Sequence, residues 1–188
     1  MLQYFTATDA HSIIQRTYAT AHGDSAVAEA LYVPDELAGL PASAVALAFG
    51  IGNPVRHAGL RAGEVVLDVG CGAGIDTLIA ARRVGPGGRA LGLDMTPAML
   101  ERARHHAATA GLDNVELHQG LMEALPWADA SIDVVVSNGT LNLSTRKARA
   151  LAEMHRVLRP GGRLALADLV LTEALPEEIQ RDPTALVA

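Results

Sequence analysis

The sequence predicts an α/β fold: a parallel sheet with helices on both faces, preceded by a helical segment. Three observations carry this. From Leu60 onward, short β-branched apolar runs alternate with helical stretches, the pattern of strand–helix–strand units. The strand candidates are apolar at consecutive positions, as in Val65-Val66-Leu67-Asp68-Val69 and Ile132-Asp133-Val134-Val135-Val136. A strand covered on both faces reads that way. Most runs are separated by glycine- or proline-bearing turns.

The first sixty or so residues are alanine-rich and helical in character, cut into short pieces by Pro34 and Pro41. Asp35 and Glu36 follow Pro34, and acids in a first turn suit a helix N-terminus. Residues 42–48 are small and apolar and end at the turn Phe49-Gly50-Ile51-Gly52-Asn53-Pro54. Strand one is 65–69, followed by a glycine loop at 70–74. The helix at 75–84 stops at Gly85-Pro86-Gly87-Gly88. Strand two, 89–93, ends at Asp94. Thr96 is a good N-cap with Pro97 at N1. The helix it opens runs towards Ala110, with Met99, Leu100, Ala103 and Ala107 inward and Gly111 as its C′ residue. Strand three is 115–118 and strand four 132–136. Ser144 caps a helix running to Leu158, with Leu151, Met154, Val157 and Leu158 inward. Pro160-Gly161-Gly162 is a sharp turn before strand five at 164–171.

The 188 residues suit one domain, and 49% hydrophobic against 19% charged residues is enough apolar material for one core. No apolar run approaches the ~18 residues of a membrane span. The N-terminus has no basic region followed by an apolar stretch, so no secretory signal is visible. A single cysteine, Cys71, excludes an internal disulfide framework and a cysteine zinc cluster, and no metal site is expected. These features predict a reducing, cytoplasmic setting. The formal net charge is −6 and aromatics are only 3%, which disfavours nucleic acid and points to a small-molecule partner.

The informative segment is Asp68-Val69-Gly70-Cys71-Gly72-Ala73-Gly74, directly after strand one. Alternate glycines remove side chains from the loop surface, so a ligand can lie against backbone at a helix N-terminus. The dinucleotide fingerprint has another spacing, G-x-G-x-x-G, and here Ile75 stands where its third glycine belongs. Asp94 ends strand two, where an acid can accept hydrogen bonds from two ribose hydroxyls. Taken alone, Asp94 is also readable as a helix-capping aspartate and Asp68 as a turn carboxylate. Cys71 reads as a small filler of the loop.

These motifs resemble those of class I S-adenosylmethionine-dependent methyltransferases. The likeness rests on Val65 to Gly74, on Gly92-Leu93-Asp94-Met95-Thr96-Pro97-Ala98-Met99-Leu100, on Glu123-Ala124-Leu125-Pro126, and on Arg156-Val157-Leu158-Arg159-Pro160-Gly161-Gly162. It covers roughly Leu60 to Leu171. It implies a Rossmann-like domain at 60–171, a helical cap at 1–59 and a short tail at 172–188. It also implies S-adenosylmethionine as cofactor and S-adenosylhomocysteine as product. Asp68 with Gly70, Cys71, Gly72 and Gly74 would hold the methionine end, Asp94 the ribose, and Met95 would pack on the adenine. Gly120, Leu121 and Met122 would lie beside the adenine edge, and Asn138 would face the methionine end and the transferred methyl. A narrower likeness, through Phe49 to Pro54, Asp94 to Leu100 and Ser137 to Ser144, is to the arsenite methyltransferase family. That family binds trivalent arsenic through cysteine thiolates, and the matching positions here are Ile51 and Gly139.

Two departures from the class I pattern stand out. Many members have an acid at the position of Leu121, and leucine cannot accept the adenine amino group; Glu123 or a backbone carbonyl would have to. The family also continues past strand five with a helix and two strands, and 172–188 is too short for them. Either the sequence is truncated or a partner covers strand five, which is expected as an unpaired apolar edge that associates into a homodimer or with another chain. The implied reaction is in-line methyl transfer from a sulfonium to a nucleophile on a small molecule. Holding the reactants in line supplies about 7–11 kcal/mol. Tyr4, His11, Tyr18, His22 and His57 are the candidates for any base, and none is singled out. The rival readings are a non-catalytic S-adenosylmethionine-binding or interaction protein and, disfavoured by glycine spacing, a nucleotide-dependent oxidoreductase.

Overall fold

Five parallel strands form one sheet in the order β3-β2-β1-β4-β5. They are β1 (Val65–Val69), β2 (Arg89–Asp94), β3 (Val115–Gln119), β4 (Ile132–Asn138) and β5 (Leu158–Ala167). The computed structural model describes residues 5–182 and 185. β1 is central, in register with β2 from Val65↔Arg89 to Val69↔Leu93 and with β4 from Val66↔Val134 to Asp68↔Val136. The strand order therefore reverses at β1. In open α/β sheets that reversal opens a crevice at the carboxyl ends of the strands, where ligands bind.

Alternation along the strands explains why both faces are covered. Val66, Val134 and Val136 pack on one face with Ile79, Ala80 and Val84 of α6 (Ile75–Val84), and with Tyr32 and Val55. Leu67, Val69, Leu91 and Val135 point the other way, onto Met154 and Val157 of α8 (Lys147–Val157). α7 (Pro97–Thr109) buries the expected Met99, Leu100, Ala103 and Ala107, and also His106, whose Nδ1 lies 2.9 Å from the carbonyl of Ala73.

The N-terminal region forms α1 (Ala7–Ala19), α2 (Ala26–Leu31), α3 (Pro34–Leu37), α4 (Ala42–Ala46) and α5 (Pro54–His57). Polar ties fasten these helices to the sheet domain. Arg102 of α7 donates to the carbonyls of Ala19 and Ala21, each at 3.1 Å. Gln15 of α1 donates to the carbonyl of Met95 at 2.9 Å. Arg83 of α6 pairs with Glu36 of α3, which also accepts from Asn53 at 2.8 Å.

Three sequence expectations are corrected and a fourth, the N-cap of α7, holds in position without its side-chain bond. β5 begins at Leu158, before Pro160-Gly161-Gly162, and ends at Ala167. Its register jumps from Ile132↔Leu158 to Val134↔Arg163, so residues 159–162 loop out within the strand, with Gly161 at φ +78°. Beyond Ala167 the chain leaves the sheet, and Asp168 accepts from the backbone N–H of Leu141 at 2.7 Å. On α8, Leu151 is 38% exposed, whereas Ala150 and Glu153 are buried with Met154 and Val157, because the inward stripe runs through 150, 153, 154 and 157. Glu153 tolerates burial because Arg156 and the N–H of Leu125 donate to it; Arg156 above all holds its carboxyl down at about 2. The N-cap of α8 is Arg146, and the Ser144 hydroxyl accepts the N–H of Arg146 at 3.0 Å. Thr96 is the N-cap of α7 by position, but its hydroxyl makes no capping bond. The carboxylate of Asp94 accepts the Thr96 N–H instead, at 2.8 Å.

Candidate functional site

The carboxyl ends of β1, β2 and β4 frame a cleft that α1 and the segment 47–50 close from above. All the predicted site residues except Gly74 line it: Asp68, Gly70, Cys71, Gly72, Asp94, Met95, Gly120, Leu121, Met122 and Asn138. Gly74, at φ +97°, is the N-cap of α6. A Cβ there would stand 3.1 Å from that of Ala103, so its task is the close packing of α6 on α7.

The turn after β1 is pinned by its own backbone. The N–H groups of Gly70 and Cys71 both donate to the carbonyl of Leu93, at 2.7 and 2.9 Å. Gly74 donates to the carbonyl of Cys71 at 2.9 Å, and Gly72 to Asp94 Oδ2 at 2.9 Å. Gly70 adopts φ +79°, and a Cβ there would meet Thr140 Cγ2 at 2.4 Å. Gly72 adopts φ +52° and has open space where its Cβ would be, so bare backbone faces the cleft at that point. Cys71 is buried, its Sγ against Gly92. Burial, followed by the Asp94 and Asp68 carboxylates, pushes its thiol up, so at neutral pH it is a protonated filler.

Each oxygen of Asp94 accepts one backbone N–H, Oδ1 from Thr96 and Oδ2 from Gly72. A carboxylate has about four lone-pair sites, so acceptor capacity remains towards the cleft. Asp94 is thus both a turn carboxylate and an available hydroxyl acceptor. Asp68 is buried and accepts from the Thr77 hydroxyl at 2.6 Å. Burial, then the Asp76 carboxylate, pushes it up to about 8.

Asp76, in the first turn of α6, is a cleft residue that sequence reasoning missed. It is buried and accepts from Tyr32 Oη and from Asn138 Nδ2, both at 2.9 Å. The available signal was an acid two positions after the glycine loop. Its partners are 44 and 62 residues away in sequence, so its role was hidden. Asn138 is a junction. Its Oδ1 accepts the N–H groups of Ile51 and Gly52 at 2.9 and 3.1 Å, and its Nδ2 donates to the Gly52 carbonyl at 2.8 Å. The side chain is therefore engaged in holding the 50–52 segment, and a Cβ on Gly50 would lie 2.2 Å from Nδ2.

Positions 51 and 139 are neighbours in space: a Cβ on Gly139 would stand 3.7 Å from both γ carbons of Ile51. Of the residues considered as bases, His11 and Tyr18 line the cleft from α1. His22 and His57 are exposed and outside its lining, and Tyr4 lies outside the described residues. Tyr18 packs edge-to-face on Phe49, ring centroids 6.0 Å apart. Glu123 lines the cleft beside Leu121, its carboxylate accepting from the Ser144 hydroxyl. Ile14, Leu47, Phe49, Met99 and Leu143 make much of the remaining wall apolar.

The electrostatics are one-sided. Asp68, Asp76, Asp94 and Glu123 line the cleft, and His11 is the only basic side chain among its described lining residues. A phosphate at a glycine loop needs free N–H groups and a positive field; here most loop N–H groups are engaged and the field is negative. The arrangement suits a ligand with hydroxyls at one end and positive charge at the other.

Comparisons with known proteins agree with this chemistry. A family model described as a methyltransferase domain matches residues 60–187. An arsenite methyltransferase of Halobacterium salinarum is 44% identical over 155 residues, which is 82% of this chain and 39% of the relative. A ubiquinone/menaquinone biosynthesis C-methyltransferase of Hahella chejuensis is 43% identical over 115 residues, 61% of this chain and 46% of the relative. Among solved structures, an arsenic(III) S-adenosylmethionine methyltransferase from Chlamydomonas reinhardtii superposes with TM-score 0.72 and 39% identity, covering 80% of this chain and 52% of that one. The chain thus spans less than half the length of these two curated relatives.

Proposed function

This chain belongs to the class I S-adenosylmethionine-dependent methyltransferase family, and on that premise we propose that it transfers the methyl group of S-adenosylmethionine to a small, uncharged acceptor. Residues 1–59 serve as the cap over the cofactor-binding unit of residues 60–171. The observation that carries the reading is the pairing, in one cleft, of a hydroxyl acceptor at Asp94 with buried carboxylates at Asp68 and Asp76. When bound, S-adenosylmethionine supplies an electrophilic methyl group on a positively charged sulfur.

The chain's own residues bind, orient and exclude water. Asp94 accepts the ribose hydroxyls while its bonds to Gly72 and Thr96 fix its orientation. Asp68, buried and oriented by Thr77, lies at the methionine end with the backbone of Gly70 and Gly72. Met95, Gly120, Leu121 and Met122 form the adenine side. Asn138 positions the wall at 50–52 rather than meeting the methyl group directly. Apolar walls and α1 keep water out, and in-line positioning of two reactants is the main source of rate.

On the acceptor side we favour an apolar molecule over arsenite. Trivalent arsenic is soft and takes thiolate ligands. Ile51 and Gly139 present an aliphatic surface where the arsenite family has cysteines, and the chain's one cysteine is a buried loop filler. Among the described residues, β5 pairs with β4 on one side only. Leu164 and Leu166 on it are 42% and 37% exposed, and Leu169, Val170 and Leu171 follow in the open. We propose that a second copy of the chain covers this edge.

Three outcomes are expected. Asp94→Ala weakens S-adenosylmethionine binding by about 1.5–3 kcal/mol, the scale of a charge-assisted hydrogen bond; unchanged affinity in calorimetry places the ribose elsewhere. Arsenite incubated with protein, cofactor and a thiol reductant gives no methylated arsenic beyond a boiled control, and enzyme-dependent product overturns the acceptor reading. Light scattering over a concentration series shows a dimer, and a strictly monomeric protein removes the second-copy proposal.

A further inference from the structure

Beyond Asp94 the cleft is built from the turn after β3, the strand that neighbours β2. Gly120, Leu121, Met122 and Glu123 line that side. Gly120 brings no side chain, and Met122 packs against the core cluster that holds Leu91 and Leu93. Leu121 is aliphatic and 37% exposed. On the proposed function the purine base lies here. Its ring nitrogens accept hydrogen bonds, whereas its amino group at C6 donates, and a donor is read only by an acceptor.

The acceptors at this end are engaged with the protein itself. The Leu121 carbonyl accepts the N–H of Ala124 at 3.1 Å, and the Asp94 carbonyl accepts that of Gly120 at 3.1 Å. The Met95 carbonyl takes the side-chain amides of Gln15 and Gln119, at 2.9 and 3.4 Å. Glu123, the one acid in the turn, is directed to the start of α8. Its carboxylate accepts from the Ser144 hydroxyl, which also accepts the N–H of Arg146. Its charge acts on Lys147, and Arg149 Nε donates to its carbonyl at 3.1 Å. What remains for the base edge is the aliphatic side chain of Leu121.

We propose that Leu121 is a specificity-determining residue that leaves the amino group of the base unread, so that this chain binds nucleoside cofactors altered at C6 of the purine about as well as the adenine form. The inference rests on the S-adenosylmethionine reading and deepens it. A site built to hydrogen-bond a group rejects the analogue that lacks it, because the site's own polar atoms are then left unpaired. An aliphatic wall has no such atom to leave unpaired, so removing the amino donor costs it little. Contact with the faces of the ring is apolar and the same for every purine. Because Leu121 is partly open to solvent, a larger substituent at C6 has a way out of the cleft on that side.

The test is calorimetric titration of the unmodified chain with three thioethers: S-adenosylhomocysteine, its 6-deamino analogue with hydrogen in place of the amino group, and its 6-dimethylamino analogue. Both analogues keep the ring nitrogens as acceptors and lose the amino donors. The three dissociation constants are expected to agree within about threefold, the low end of what one hydrogen bond contributes. Leu121→Asp puts an acceptor at that edge and is expected to create a preference of about tenfold for the amino form over the deamino form, the scale of a hydrogen bond to a charged group. Leu121→Asn is expected to shift the ratio in the same direction by less. A loss of tenfold or more for the deamino analogue in the unmodified chain, beside good binding of S-adenosylhomocysteine, overturns the inference and leaves the cofactor reading standing; if Glu123→Ala or His11→Leu removes that loss, that side chain is the reader. Ratios unchanged in both Leu121 variants overturn the assignment to Leu121. Failure of S-adenosylhomocysteine to bind overturns the cofactor reading and the inference together. Should neither Leu121 variant fold, the ratios of the unmodified chain decide alone.

Discussion

The turn between Asp68 and Gly74 is the constraint on which the rest of the site depends. β1 has to hand over to α6 within a few residues, and the N–H groups of that turn must find partners. They find them in β2. Gly70 and Cys71 donate to Leu93, and Gly72 donates to Asp94. One set of bonds therefore closes the turn, ties the ends of two neighbouring strands together and fixes the Asp94 carboxylate. The same bonds explain what the loop is not. A glycine loop that cradles phosphates keeps its N–H groups free and pointing at the ligand; this one engages most of them and surrounds itself with carboxylates.

The second tie crosses from the sheet to the N-terminal helices. Asn138, at the end of β4, binds the backbone at 51–52 and also Asp76, which in turn binds Tyr32. Side chains from β4, from α6 and from the residue after α2 thus meet in one network behind the cleft. Removing one partner would leave buried polar groups unpaired, which costs more than the bond itself contributes. The network also limits the assignment of roles: a side chain with its donors and acceptors engaged positions a wall and has little capacity left for a substrate.

Much of this was legible locally. The five strands, the glycine turn, Asp94 at the end of β2 and the helix that begins at Pro97 all follow from short-range pattern, because strand alternation, loop glycine and helix initiation are short-range physics. What escaped was set by distant partners. Asp76 carries no local mark beyond its place in the first turn of α6, because its partners Tyr32 and Asn138 are distant in sequence. Gly74 read as part of the ligand loop, but α7 packs against it. The start of β5 was hidden because Pro160-Gly161-Gly162 signals a turn, and here the chain loops out while remaining paired with β4 on both sides of the excursion. Apolarity alone points Leu151 inward, whereas in the fold Glu153, held by Arg156 and Leu125, takes the inward face.

On the proposed function this cleft takes a positively charged nucleoside sulfonium and not a dinucleotide. Parallel calorimetric titrations with S-adenosylmethionine and with NAD test it most directly. Saturable one-to-one binding of S-adenosylmethionine with no measurable heat from NAD is the predicted result, because the engaged loop N–H groups and the acidic lining offer a pyrophosphate nothing to bind. Saturable binding of NAD with none of S-adenosylmethionine would contradict it.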